Sequence, residues 1–447
     1  MISRFRLLLL SALFSASCLL HAAPELVTRV YPADTPVVFR IAVRRGGESP
    51  HSGGMIVEYM REAGGKGWER LPATMKGGIL EVPFTLRGEG GHTLRVGNLD
   101  ARGRFAATAS FDIYSLREDL FRERPWRGDL HLLSRHSGGR QDPARIAALG
   151  RRVGFDFLAL TDRGRIASSL ELAETVKKWE CGFTVLPGES WSIGGGMVTV
   201  VAVGHDGEIT PPKGTPVADP SLDPAEAAAA GTAVALTSEI RRRGGVAIFC
   251  HPALKRDQHF LTPPALSRYL MFHGGFDAVE TLNSTSGSHS VSRVAALSWE
   301  AAGAPGAPRA LVGVSGYSDV ARVSFGRLCT VVFAPEGNAA ALVAALRRGR
   351  CVAQLRSNGL APIQGSSRLV EYALFLNRAY WTQHDRICWR QGNALLGFID
   401  GNTGIFPAVG RHAAELEKFR REFWYETAPA GEKPALRGDA VSTSSPR

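Results

Sequence analysis

Five short stretches of the chain carry side chains suited to holding a divalent cation. They are Asp129-Leu130-His131, Thr161-Asp162-Arg163, Pro187-Gly188-Glu189, His251-Pro252 and Ser318-Asp319. Each follows an apolar run or opens the loop beyond one. Imidazole nitrogen and carboxylate oxygen are the donors that zinc-like ions take, and a catalytic site needs about three of them plus an open position. Such residues converge only if the elements before them lie side by side.

The elements that must position them are legible in the periodicity. Short apolar strands (Phe155 to Leu160, Thr184-Val-Leu, Val198 to Val203, Val246 to Cys250, Ala278 to Leu282, Leu311 to Val314, Thr330 to Phe333) alternate with helical stretches. Asp142-Pro143 and Asp223-Pro224 read as helix starts, with a capping aspartate and a proline at the first helical position. The second of these helices should end at Arg243-Gly244-Gly245. Strand–helix alternation of this kind predicts an α/β barrel, whose site residues stand at the C-terminal ends of strands. Residues 206–222, rich in Pro and Gly, read as an excursion from it.

Before the barrel, residues 26–115 alternate apolar and polar over short strands separated by Gly-rich turns, the pattern of an immunoglobulin-like β-sandwich. After it, residues 366–425 space leucines and aromatics at three to four and predict a helical extension. Residues 427–447 are small and polar and read as a disordered tail. At the start, Arg4 and Arg6 precede an apolar run and small residues, the mark of a secretory signal peptide cleaved after Ala22, with an uncleaved anchor and a lipoprotein cysteine at Cys18 as the alternatives. The chain is therefore expected to be exported, periplasmic or extracellular, with no membrane span after cleavage.

The segments around the five stretches resemble the PHP family, the metal-dependent phosphoesterases of polymerase-associated and histidinol phosphatase domains. The motifs are GDLHLLSRHSGG at 128–139, GFDFLALTDR at 154–163, VLPGES at 185–190, GGVAIFCHP at 244–252 and LVGVSGYSDVARVSFGR at 311–327. Residues 371–401 also resemble the helical extension of exported members of that family. The resemblance implies a distorted (β/α)7 barrel over residues 125–356. It also implies a metal-dependent phosphoesterase acting on a small anionic or phosphorylated substrate.

The ligand positions are only partly kept. The resemblance assigns His131, Glu189, His251 and Asp319 to metal, with Asp319 requiring a small gap; without it the place falls on Gly316. Leu133 and Thr199 stand where two further histidines belong. All three places of a third metal are lost, at Gly138, Arg163 and Val320. What remains suffices for one divalent metal, zinc or manganese, or for none. One bound metal would acidify its water, with Asp162 or Glu189 orienting it. The alternative is an inactive descendant that binds phosphate or a sugar acid in the barrel mouth. Arg163 suits that role, since a guanidinium grips an oxyanion bidentately. A competing reading of Arg163 is a counter-charge to Asp162 or Glu189.

Composition sets the outer limits. The 447 residues are 44% hydrophobic and 21% charged, which excludes disorder along the whole length. Losing residues 1–22 removes two arginines and no acid, taking the formal charge from +11 to +9. The surplus sits in clusters such as Arg241-Arg242-Arg243 at helix ends, without the interleaved aromatics of a nucleic-acid surface. Of the six cysteines none forms a CxxC, so neither a disulfide framework nor a zinc ribbon is expected. His136, His205 and His289 lie in loops and read as solvated or hydrogen-bonding histidines. His384-Asp385 reads as a structural polar bridge, and Gly194-Gly195-Gly196 as a weak phosphate-loop signal.

Overall fold

The computed structural model describes residues 24–43, 54–62, 67–256, 259–283, 294, 300–301, 303–304, 307–316, 319–320, 325–356 and 362–426. The expected signal peptide, the expected tail at 427–447, Ser318 and His289 lie outside the described residues. No helix among the described residues is long and apolar enough to cross a membrane.

The N-terminal region is all β, as its alternation requires. One sheet runs, in order, Val30–Pro32, Phe105–Leu116, Gly90–Leu99, Ile56–Arg61 and Glu69–Leu71; the other runs Pro36–Ala42, Ile79–Thr85 and Thr74–Lys76. Their apolar faces share one core of Phe39, Ile41, Val57, Val82, Leu94, Val96 and Ile113. Alternation buries every second residue, which is how strands with one wet face are written in sequence.

The remainder is an α/β body built on a ten-stranded sheet. Its order is Ala310–Gly313, Ala278–Leu282, Val246–Cys250, Val198–Val203, Thr184–Ile193, Phe157–Leu160, Arg124–Leu132, Leu328–Ala334, Cys351–Leu355 and Ile363–Gln364. The sheet curls until it nearly closes. Gly313 N–H donates to Thr330 Oγ1 at 3.1 Å, and that hydroxyl donates back to Gly313 O at 2.9 Å. Only glycine permits this seam, because a Cβ on residue 313 would stand 2.6 Å from Cys329 O. Inward residues such as Ala159, Leu186, Val201, Ile248 and Val312 form one cluster with the helix Ala339–Arg347.

Strict strand–helix alternation fails at one place. Val198–Val203 runs antiparallel to both neighbours. Gly194, Gly195 and Gly196 all adopt positive φ (62°, 69°, 100°), which folds the chain back as a hairpin where a crossover helix was expected. The three glycines are thus a turn and carry no phosphate-loop geometry.

The two predicted helix starts are present, at Pro143–Arg152 and Pro224–Arg242. The second has a full capping box between Asp223 and Glu226. The Pro- and Gly-rich excursion crosses this helix at Gly214 and Gly231. A Cβ on Gly231 would stand 1.9 Å from Thr215 O. In an uncrossed helix Gly→Ala gains about 1 kcal/mol; Gly231→Ala is expected instead to cost about 1–3 kcal/mol by forcing backbone apart. Thermal denaturation checks the sign, and a raised Tm would refute the crossing.

Three helices, Ser367–Ala379, Trp381–Ile399 and Phe406–Phe423, complete the chain. They wrap the outer face of the sheet. Tyr372, Phe375, Tyr380 and Trp424 pack with Val331, Phe333 and Val352 of the sheet and with Val30 and Tyr114 of the N-terminal region. Arg368 adds a polar tie, donating to both Glu89 and Asp119.

Candidate functional site in the barrel mouth

His131 and His251 come together at the strand ends, their ring centroids 5.7 Å apart. His131 Nδ1 pairs with Thr161 Oγ1 at 2.7 Å, which leaves Nε2 as its free nitrogen. Burial, reinforced by the neighbouring His251, holds His131 down to about 3, so it is a neutral imidazole near neutral pH. His251 has a left-handed backbone, φ 60°, a conformation that costs a side-chain-bearing residue energy. Glu280 supports it: the His251 N–H donates to Glu280 Oε2 at 3.1 Å, and His251 Nδ1 lies 2.9 Å from the same oxygen. Burial works against a charged His251, but the Glu280 carboxylate outweighs it and raises the imidazole. Asn283 in turn donates to Glu280.

Glu280 and Asn283 escaped the sequence reading. Their one available signal was the charged Glu280 within the buried strand Ala278–Leu282. Inward alternation with Ala278 would have placed it in the barrel. Asp129 is a second buried carboxylate here. Its Oδ1 accepts from the N–H groups of His131 and Ser315, at 3.1 and 3.2 Å, and burial pushes it up to about 7.

Glu189 is not brought to the histidines. It sits opposite Ala202, on the face that carries Trp191, Ile193, Val198 and Val200 against the helix Pro224–Arg242. Leu186 and Val201 mark the opposite, inward face, so strict alternation turns Ser190 inward and Glu189 outward. The Glu189 carboxylate accepts from Ile209 N–H at 3.0 Å and lies 3.7 Å from His205 Nε2. Its second oxygen is buried without a hydrogen bond, and burial pushes the group up to about 7. Asp319 is also turned away: it accepts from Gln141 at 2.8 Å and faces Arg140 at 3.5 Å. Gly316 takes the position between the two rings instead, since its Cβ would lie 3.7 Å from His251 Cε1 and 3.8 Å from His131 Cδ2.

Asp162 is sealed by hydroxyls. It accepts from Ser134 N–H and from the side chains of Ser134, Ser137 and Ser168 at 2.6–2.8 Å. That is the environment of a structural carboxylate that orders the loop 134–139, and it leaves no lone pair aimed at a catalytic water. Arg163 is exposed and donates to Ser137 O at 3.4 Å. No carboxylate pairs with it among the described residues, so the counter-charge reading fails. Its guanidinium lies near Gly138, 3.6 Å from where a Cβ would be, and its charge is felt at His131.

The proposed four-ligand metal site therefore does not fit this donor set. Among the described residues, the one group of three His, Cys, Asp or Glu ligand atoms mutually within 4.8 Å is Asp156, His384 and Cys388, and none of His131, Glu189, His251 or Asp319 belongs to a group of that kind. Leu133 and Val320 are buried apolar side chains. The Asp156 group is itself unsuited to a cation. Asp156 already accepts from Arg151 at 3.0 Å, Arg420 at 2.5 Å and His384 Nε2 at 2.9 Å. Asp385 alongside pairs with Arg127 and, at 2.7 Å, with Arg356. A dication placed among four guanidinium groups would meet net repulsion. His384-Asp385 is the structural bridge that its sequence suggested. Cys181, Cys250, Cys329, Cys351 and Cys388 are all free and buried.

Comparison with known proteins comes out unevenly. No protein-family model matches the chain, and no curated protein matches it. Solved structures do. A two-domain protein from Bacteroides vulgatus, described as containing a PHP-like metal-dependent phosphoesterase, is 15% identical, with a TM-score of 0.39, over 53% of this chain and 66% of that one. An amidohydrolase from Chromobacterium violaceum with bound sulfate and no metal is 16% identical, with a TM-score of 0.31, over 43% and 87%. A protein from Bifidobacterium adolescentis described as a metal-dependent phosphoesterase is 13% identical, with a TM-score of 0.32, over 56% and 96%. The chain is thus similar, at low identity, to PHP-like metal-dependent phosphoesterases.

Proposed function

We propose that the chain is an exported PHP-like protein, of metal-dependent hydrolase descent, whose barrel mouth binds a small anion such as phosphate or a sugar acid without a metal cluster. In this reading the N-terminal region is an immunoglobulin-like sandwich and the α/β body a distorted (β/α)7 barrel. The observation that carries the proposal is the donor set itself. Among the described residues, no third His, Cys, Asp or Glu ligand atom groups with those of His131 and His251, Glu189 and Asp319 pair elsewhere, and Arg163 has no carboxylate partner. The His251 imidazole, raised by Glu280, and the Arg163 guanidinium offer charged hydrogen-bond donors, the complement of an oxyanion, beside the neutral His131. Anion binding of this kind asks for no carboxylate among the ligands, and Gly316 and Ser190 supply none.

Metal analysis and anion titration test this. The purified chain, incubated with zinc or manganese, should retain well under one ion per molecule. Inorganic phosphate or glucuronate should bind, and Arg163→Ala should weaken it by about tenfold or more, the scale of one lost charge-assisted contact. Stoichiometric metal that disappears in His251→Ala would overturn the proposal in favour of a mononuclear hydrolase.

A further inference from the structure

A second cavity lies away from the mouth. It is a pocket of about 450 Å³ between the Pro187–Gly204 junction and the helix Ala339–Arg347. Its charged walls are His205, Asp206, Arg243 and Arg347. Nothing in the mouth reading uses these residues. Their hydrogen bonds are only partly filled. Arg347 spends one terminal nitrogen on Gly245 O, at 2.6 Å. Arg243 spends Nε on Glu239 and one terminal nitrogen on Asp206 O. Each guanidinium has five N–H donors, so both keep donors to spare.

The charge balance favours an anion. Glu239 is shared between Arg242 and Arg243. Of the side chains that line the pocket, two guanidinium groups, Arg243 and Arg347, stand against one carboxylate, Asp206. His205 supplies an independent sign of a missing partner. It is 2% exposed, its Nδ1 bonds Gly207 O at 3.0 Å, and its Nε2 makes no hydrogen bond, with Glu189 no nearer than 3.7 Å. A buried imidazole nitrogen left unsatisfied is costly unless a ligand or solvent molecule completes it.

From this geometry we infer that the pocket is a second small-oxyanion site, with Arg347 and Arg243 as charge-assisted donors and His205 on its buried wall. The mouth site and this pocket are separate, so each can fail alone.

Phosphate titration by calorimetry, on the full chain in an Arg163→Ala background, isolates the pocket. Residual phosphate binding should persist there and weaken by tenfold or more in Arg347→Gln. Ala340→Trp, an exposed helix position that lines the pocket, should block it while removing no charge, which guards against a folding defect in the arginine variant. The inference is overturned if Arg163→Ala binds no phosphate. It is overturned equally if the residual affinity is unmoved by both pocket variants. Should the mouth proposal be wrong, Arg163→Ala would match the wild type while the two pocket variants still lost binding.

Discussion

Asp156→Asn should destabilise the chain by about 3–5 kcal/mol, the scale of breaking a buried ion pair from one side. The substitution keeps the volume, so no cavity contributes. What it removes is the negative charge that Arg151, Arg420 and His384 share in a fully buried position. Burial alone would raise the Asp156 carboxyl, yet His384 and Arg420 hold it far below the usual carboxylate range. A neutral amide would leave the cations without that compensation. Denaturant titration should show an earlier midpoint. Asp385→Asn, at a partly exposed carboxylate, should cost less. A change under about 1 kcal/mol for Asp156→Asn would show that the network is not what joins the helical extension to the barrel.

The second large effect concerns pH. Glu189 is raised to about 7 because it is buried with one backbone donor. A carboxyl whose folded pKa lies above its unfolded value stabilises the fold fully below the unfolded value, near 4.5, and that contribution fades as pH rises through about 7. Over this window Glu189 should account for about 3 kcal/mol. Glu189→Gln keeps an acceptor for Ile209 N–H and cannot ionise, so it should flatten the slope and be more stable than the wild type above pH 7. Asp129, raised to about 7 by the same cause, should leave a residual slope. Unfolding curves at several pH values decide this. Superimposable profiles for wild type and Glu189→Gln would place Glu189 in solvent or beside an unseen counter-charge.

These two residues also show what the sequence could and could not reveal. The elements were legible because periodicity and helix starts are local: Asp223-Pro224 announces its helix without reference to anything distant. His131 and His251 were legible too, as polar residues ending apolar strands. Glu189 was misread because a motif gives a position along a strand but not its face. One residue of register moves a side chain across the sheet, and Leu186, Trp191 and Ala202 settle that register only once paired. Glu280 was hidden for the converse reason: its role depends on the backbone of His251, which is 29 residues away in sequence and meets it only through strand pairing. Asp319 and Gly316 differ by a loop whose path no spacing rule fixes.

The buried ion network bears on timing. Arg127 and Asp156 belong to the N-terminal half of the chain, whereas His384, Asp385 and Arg420 follow at least 228 residues later. A chain emerging from its N-terminus therefore exposes Arg127 before Asp385 exists, and Asp156 with only Arg151 of its partners, so the barrel cannot reach its final strength until the helical extension is available. A protein that consolidates so late stays pliable while it is being made.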